Sequence, residues 1–527
     1  MHRNFSYSIL MLLACVCFFA SCNQNNPENM AGNHDMTKPE YTIMFYTVGG
    51  GDLDYSTECQ LVDGLRMLFN GDVSVRFFVQ MKYSNETTYW KKMSEKHKTQ
   101  AELDQRKIHG GEFSTVYRYE LLPSMLSSDK QYMNKLPQSA KYGNQGDAAA
   151  FYEPDSIASF INYCKAANPK ASKYILILSD HGGGYFPSND YDKAGTTSHS
   201  IGKRRSVCFD PELNNYSISL EELRDGIKKS ALDKKLDLIF YDCCLMNMIE
   251  NMGDLAEVTD YVLASGHSTS GCDYGNLINQ LYYTLGNYQS QIEAFINYTD
   301  DCSAVHQERY KNGSDDVRDY YVDWALTQTS KIPAVLTDMK SFTDAVCNYF
   351  DKETLTGSEL YNKYAIAANY PWKYVDIYAY YDLLEYAYAL ADLAQDQAVT
   401  TAYENLRNSV NNAIIRHSFA NNIKDMTLSF SINIGAKGYI CVDFNPKNSE
   451  RYCYGENGKV GIFNPQTGEI RIDEGNTYAN AKYSWQNSYE KTVFDQQTGW
   501  TRWLRKNPAM PYKNRPDDQV WDTNGIR

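Results

Sequence analysis

A chain of 527 residues is long enough to bury a large core and to hold more than one structural unit. Its formal net charge of -14, with no concentrated basic stretch, excludes nucleic acid as a partner, because nothing in it could track a phosphate backbone. The 44 tyrosines suit an exported protein that packs or binds with aromatic rings.

The N-terminus reads as an export signal. Met1-His2-Arg3 supplies a short basic region, Ile9 to Ala20 an apolar run, and Phe19-Ala20-Ser21-Cys22 resembles the lipid-attachment signal of bacterial lipoproteins. The apolar run is too short to span a bilayer, so residues 1–21 are expected to be removed and Cys22 to be lipidated. An ordinary secretory signal with an incidental Cys22 is the alternative. Residues 22–39 are polar and read as a flexible tether. The protein is therefore expected to be exported, and either lipid-anchored in the cell envelope, at the outer membrane, or secreted. Of the 13 cysteines, Cys15 and Cys17 leave with the signal, and the rest show neither a CxxC pair nor a zinc pattern. Cys441 and Cys453 could pair as a disulfide or stay as buried thiols.

From Tyr41 onward the chain alternates strands and helices, the mark of an α/β fold. Tyr41 to Val48 predicts a strand, Thr57 to Phe69 a helix and Val73 to Gln80 a second strand, followed by a hairpin strand at Val116 to Leu122. Asp155 to Ala167 is an amphipathic helix opened by Pro154. Lys173 to Ser179 is a continuously apolar strand running into Asp180-His181-Gly182-Gly183-Gly184, and Leu236 to Tyr241 is another running into Asp242-Cys243-Cys244. Such runs are parallel strands buried on both faces, and the amphipathic Ser219 to Ile227 is the crossover between them. As neighbours, the two strands would bring His181 and a cysteine into one cleft at their carboxyl ends, about 5 Å from strand to strand. A helix is expected from Leu245 to about Glu257, and a further parallel strand at Asp260 to Ala264. Residues 276–434 read as mainly helical, with an alternating stretch at Asp425 to Ile434, and residues 435–527 as β-rich.

His-Gly after one buried strand, and Asp-x-Cys-Leu-Met after the next, resembles the clostripain family of bacterial cysteine peptidases. Tyr41 to Tyr46 with Gly51-Asp52-Leu53, and Ala264-Ser265 to Asp273-Tyr274, resemble the family's flanking segments. The resemblance covers residues 40–275 and implies a caspase-like, mostly parallel sheet flanked by helices as the catalytic core. Residues 276–434 would then be a helical continuation of the catalytic unit.

The resemblance implies Cys244 as the nucleophile, with Cys243 at a variable position. Strand alternation agrees that only one of two adjacent residues can face the cleft. A cysteine at a helix N-terminus would gain thiolate character from the helix dipole. His181 would act as general acid/base, and the backbone N–H groups of Gly182 and Cys244 would form the oxyanion hole. Asp242, two residues before Cys244 and so on its side of the strand, and by resemblance Asp273, would line a pocket for a basic side chain, predicting cleavage after Arg or Lys. The bland reading is that Asp242 caps the following helix and Asp273 is a turn residue. His267-Ser268-Thr269 and Cys272 depart from the family pattern and bear on substrate preference.

Residues 182–216 form a long polar connection holding Lys193, Lys203, Arg204 and Arg205, where the resemblance implies self-processing into two associated chains. The expected partners are peptides or proteins containing Arg or Lys, and a membrane through the lipid anchor. The chemistry requires no cofactor and no metal site is assigned; calcium, needed by part of the family, is left open and not predicted, since no ligand loop of recognisable spacing is present. Two further readings stand beside this one: a catalytically inactive tyrosine-rich surface lipoprotein that binds peptide or glycan, against which the intact His181 and Cys244 speak, and a caspase-like hydrolase or transpeptidase of other specificity.

Overall fold

The computed structural model describes residues 40–49, 53–68, 75–89, 113–129, 133–143, 151–186, 205–210, 216–266, 272–284, 287–311, 324–352, 380–417, 429–433, 440–444, 451–454, 459–463, 470–477 and 492–506. The export signal, the tether and Cys22 lie outside them, as do Lys193, Lys203 and Arg204.

The chain opens with strand β1 (Tyr41–Val48), helix α1 (Asp54–Leu68), β2 (Val75–Lys82), β3 (Val116–Glu120) and β4 (Lys141–Gly143). Next come α2 (Pro154–Ala167), β5 (Lys173–Ser179), β6 (Gly182–Phe186), β7 (Arg205–Asp210), β8 (Tyr216–Ile218), α3 (Leu220–Lys229), β9 (Leu238–Asp242), α4 (Ile249–Leu255) and β10 (Tyr261–Ser265). They are followed by α5 (Tyr274–Tyr283), α6 (Tyr288–Lys311), β11 (Trp324–Gln328), α7 (Ile332–Lys352), β12 (Tyr380–Asp382), α8 (Leu383–Ala394), α9 (Gln397–Ala413), β13 (Ile414–His417) and β14 (Ser431–Asn433). The remaining described elements are β15 (Ile440–Phe444), β16 (Arg451–Tyr454), β17 (Lys459–Phe463), β18 (Ile470–Thr477), α10 (Val493–Thr498) and α11 (Trp500–Lys506).

Among the described residues a nine-stranded sheet runs in the order β13-β11-β10-β9-β5-β1-β2-β3-β4. Its centre, β2-β1-β5-β9-β10, is parallel throughout, and its outer pairings are antiparallel. This is the mostly parallel, helix-flanked sheet that the sequence predicts, with edges that extend it as far as residue 417. The central strands are apolar on both faces because both are covered. Met44, Tyr46, Leu176, Leu178, Ile239 and Tyr241 enter one core, and Ile43, Phe45, Ile175, Ile177, Leu238 and Phe240 enter the other. The first core is closed by residues of α2, α3, α4 and α7, and the second by residues of α1, α5 and α6.

Two of the helices between strands, α3 and α5, start where the sequence supplies a side-chain cap, Ser219 and Asp273. Ser219 accepts from the Glu222 N–H at 3.2 Å while the Glu222 side chain takes the Ser219 N–H at 2.9 Å, a capping box that fixes the start of α3. The parallel registers gather four strand ends, Val48, Lys82, Ser179 and Asp242, at one edge of the sheet.

Two local expectations are corrected. The helix predicted from Leu245 begins only at Ile249. Leu245 adopts a left-handed backbone with φ of 64°, and the Asn247 N–H donates to Ser265 O at 2.8 Å, so the chain turns across β10 before it can coil. The polar connection 182–216 also contains ordered structure: β6, β7 and β8 form an antiparallel sheet in which Gly182 faces Val207 and Val207 faces Ile218. Arg205, expected in an open loop, is the first residue of β7. Farther on, β15 to β18 form a four-stranded antiparallel sheet whose register sets Cys441 opposite Cys453.

Candidate active site

The site grows out of the paired ends of β5 and β9. Ser179 stands opposite Asp242 in the register, and the Asp180 N–H reaches Asp242 O at 3.4 Å. The next residues of each strand therefore leave the sheet together. Gly182 lies so close to Cys243 and Cys244 that a Cβ built on it would collide with the Cys244 carbonyl and stand 2.9 Å from Cys243 Cβ. Only glycine fits such a backbone-to-backbone approach. His181 is exposed at the rim.

The two cysteines have different surroundings. Cys243 is 1% exposed, and its thiol donates to Leu178 O at 3.1 Å. Burial first, and then the charges of Cys208, Asp180 and Asp242, push its pKa well above the usual thiol range, so it stays protonated. Cys244 is half-buried, packed on the rim of the core that holds Cys243. Strand periodicity, which puts Asp242 and Cys244 on one side, does not set this position. The strand ends at Asp242, which faces the other core, and Cys244 sits in the turn beyond it. The macrodipole argument also falls away. Helix α4 is short, starts several residues after Cys244, and a helix dipole acts only near its first turn.

Asp242 is 5% exposed. Its Oδ2 accepts from Tyr274 OH at 2.5 Å, Ser179 Oγ at 3.3 Å and Gln60 Nε2 at 3.4 Å, while Oδ1 has no hydrogen-bond partner among the described residues. Burial raises its pKa to about 6, against the downward pull of Tyr274, Ser179, the Cys272 N–H and Gln60. Asp273 is exposed, caps α5 by accepting from the Asn276 N–H at 2.9 Å, and stands near Arg66 of α1. Cys272 is buried, and burial first, then the charges of Asp242 and Asp273, push its thiol pKa well up.

A sequence profile described as the clostripain family matches residues 124–506, which include both strand ends and everything between them. The chain belongs to the clostripain family. The family consists of cysteine peptidases, hydrolases of peptide bonds, as the sequence pattern implied. Clostripain of Hathewaya histolytica is 28% identical over 149 residues, 27% of this chain and 25% of that protein, so the chain spans about a quarter of the length of the curated relative it matches. Among solved structures, a secreted cysteine protease from Bacteroides thetaiotaomicron in complex with an irreversible peptide inhibitor is 13% identical with a TM-score of 0.47, the likeness covering 88% of this chain and 99% of that one. An inactive zymogen protease from Parabacteroides distasonis is 12% identical with a TM-score of 0.46 over the same shares.

In this clostripain-family chain the fold brings His181, Gly182, Cys244 and Asp242 to one sheet edge and leaves Asp273 on the outer surface beside it. Sequence reasoning missed three residues there: Gln60 on α1, Ser179 at the end of β5 and Tyr274 at the start of α5. Ser179 carried a signal, since it stands at the strand position opposite Asp242. Gln60 is 182 residues from Asp242 and had none.

Proposed function

We propose that the chain is a cysteine endopeptidase that cleaves after Arg or Lys. One observation carries this reading: the backbone of Gly182 lies against that of Cys244, a half-buried residue whose neighbour Cys243 is fully buried, at the strand ends that also hold a buried carboxylate. In this mechanism the Cys244 thiolate attacks the scissile carbonyl, and the oxyanion formed accepts from the N–H groups of Gly182 and Cys244. His181 gives a proton to the departing amine as the C–N bond breaks, then takes one from the water that hydrolyses the thioester and releases the acid. Asp242 receives the cationic side chain, with Asp273 as a second acidic wall nearer the solvent.

Self-processing in the connection 182–216 belongs to the same proposal, with Lys193, Lys203, Arg204 and Arg205 as candidate cut sites. The pairing of Gly182 with Val207 supports it, because it would hold a new chain starting near Ser206 to the piece bearing His181. The proposed location remains the cell envelope, through a lipid on Cys22. No helix among the described residues is long and apolar enough to cross a membrane.

The test is incubation with biotinylated peptidyl acyloxymethyl ketones ending in Lys or Arg, followed by mass spectrometry. Labelling of Cys244 is the expected result. Absence of labelling, or labelling at Cys243, would overturn the assignment.

A further inference from the structure

The connection between the two catalytic strands is braced at a point well away from the reacting groups. Lys82 ends β2 and Asp210 ends β7, and their side chains form an ion pair with at most 2% of either exposed. Tyr152, fully buried just before α2, donates its hydroxyl to the same carboxylate oxygen at 2.7 Å. Breaking such a pair from one side leaves a buried charge, so the end of β7 has little freedom to move. Upstream of Asp210 the same strand meets the segment that follows His181. Val207 pairs with Gly182, and the ring of Phe209 lies 2.9 Å from where a Cβ on Gly183 would stand. Between them Cys208 is held in a left-handed backbone with φ of 60°, which persists only when the residues on either side are fixed. Val207 is fixed by Gly182 and Ile218, and Asp210 by Lys82.

We infer that Lys82 is a positioning residue for the peptidase reaction: through Asp210 and β7 it holds Gly182 against Cys244, where the Gly182 N–H meets the oxyanion. This rests on the peptidase reading and on that role for Gly182. Gly182 is gripped from two sides, by Val207 of β7 and by the backbone of Cys244, and it has no side chain with which to anchor itself. An oxyanion is stabilised by donors already in place when the charge develops, so slack in β7 costs transition-state binding rather than substrate binding. Tyr152 acts on the same carboxylate through a single hydrogen bond and contributes less than the cation does.

Purified mature enzyme would be studied as wild type, Lys82→Met and Tyr152→Phe, well below the melting temperature of each. Hydrolysis of a fluorogenic peptide ending in lysine or arginine passes through the oxyanion. Alkylation of Cys244 by iodoacetamide does not, and mapping the alkylated cysteines shows whether the fold has opened. Lys82→Met should lower kcat by about tenfold, part of the hundredfold or more that loss of a whole oxyanion donor costs, with KM and the Cys244 alkylation rate within about twofold of wild type. Tyr152→Phe should lower kcat by about threefold in the same pattern, the scale of one hydrogen bond. An unchanged kcat in Lys82→Met overturns the inference. So does alkylation that falls in step with kcat or spreads to the buried Cys208 and Cys243, because the pair would then act only through stability. Should Lys82→Met not fold, the same criteria apply to Tyr152→Phe. Wild type that is alkylated at Cys244 but hydrolyses neither peptide is a different failure: it removes the peptidase reading itself, whatever the variants do.

Discussion

The backbone of Gly182 occupies space that any Cβ would need, directly against the carbonyl of Cys244. A residue following a histidine on one strand is thus set by contact against a cysteine on the next. Gly182→Ala should push the two peptides apart and lower kcat/KM by about a hundredfold, the scale of a 1 Å misplacement at a reacting centre. Gly183→Ala is the control, since its Cβ would meet only the ring end of Phe209, at 2.9 Å, and that ring can shift. Steady-state kinetics on both, with thermal melts to confirm folding, decide it. Equal effects would mean that the approach of residues 182 and 244 is not what the glycine serves.

Asp242 should show opposite pH signatures in stability and in activity. Burial lifts its carboxyl from an ordinary 3.8 to about 6, so the folded state resists ionisation that the unfolded chain accepts. Its contribution to stability is therefore complete below about 3.8, declines as pH rises, and is lost above about 6. The total is on the order of 3 kcal/mol at about 1.4 kcal/mol per pKa unit. Asp242→Asn should accordingly match wild type near pH 4 and melt higher above pH 6. Cleavage after lysine should run the other way, rising through pH 6 as the anion forms. Taking the ratio of lysine to norleucine cleavage cancels the pH dependence of the chemical steps, which both substrates share. A ratio that stays flat from pH 5 to 7 would separate Asp242 from cation binding.

Lys82 at the end of β2 and Asp210 at the end of β7 form an ion pair with both side chains at most 2% exposed, and Tyr152 OH adds a 2.7 Å bond to the same carboxylate. The pair ties the strand following the candidate processing sites to the central sheet. Removing one partner leaves a buried charge, so Lys82→Met should cost about 3–5 kcal/mol. Lys82→Met with Asp210→Asn should recover much of that, because the amide still accepts from Tyr152. Denaturant melts of the two singles and the double measure the coupling. Additive losses would show that the two side chains do not depend on each other.

The sequence by itself determined the strands that carry the site and their order along the chain. Tyr174 to Leu178 and Leu238 to Tyr241 are continuously apolar because both faces are buried, and that pattern is local. The same holds for the Ser219 and Glu222 capping box, whose partners stand three residues apart. Recognition of the family rested on two such local stretches, each ending in residues able to do chemistry. What followed Cys244 was not legible. Leu245 to Met248 look helical, and it is a hydrogen bond from Asn247 to Ser265, on another strand, that bends them away. Strand alternation could say that one cysteine of the pair is turned inward; only packing decided that Cys243 is the buried one, its thiol tied to Leu178 O. Apart from Ser179, the surroundings of Asp242 were hidden too, since Gln60 and Tyr274 come from separate elements and reach the same oxygen. Contacts between residues far apart in the chain leave no periodicity or spacing to read, so the hydrogen-bonded setting of that carboxylate belongs to the tertiary structure.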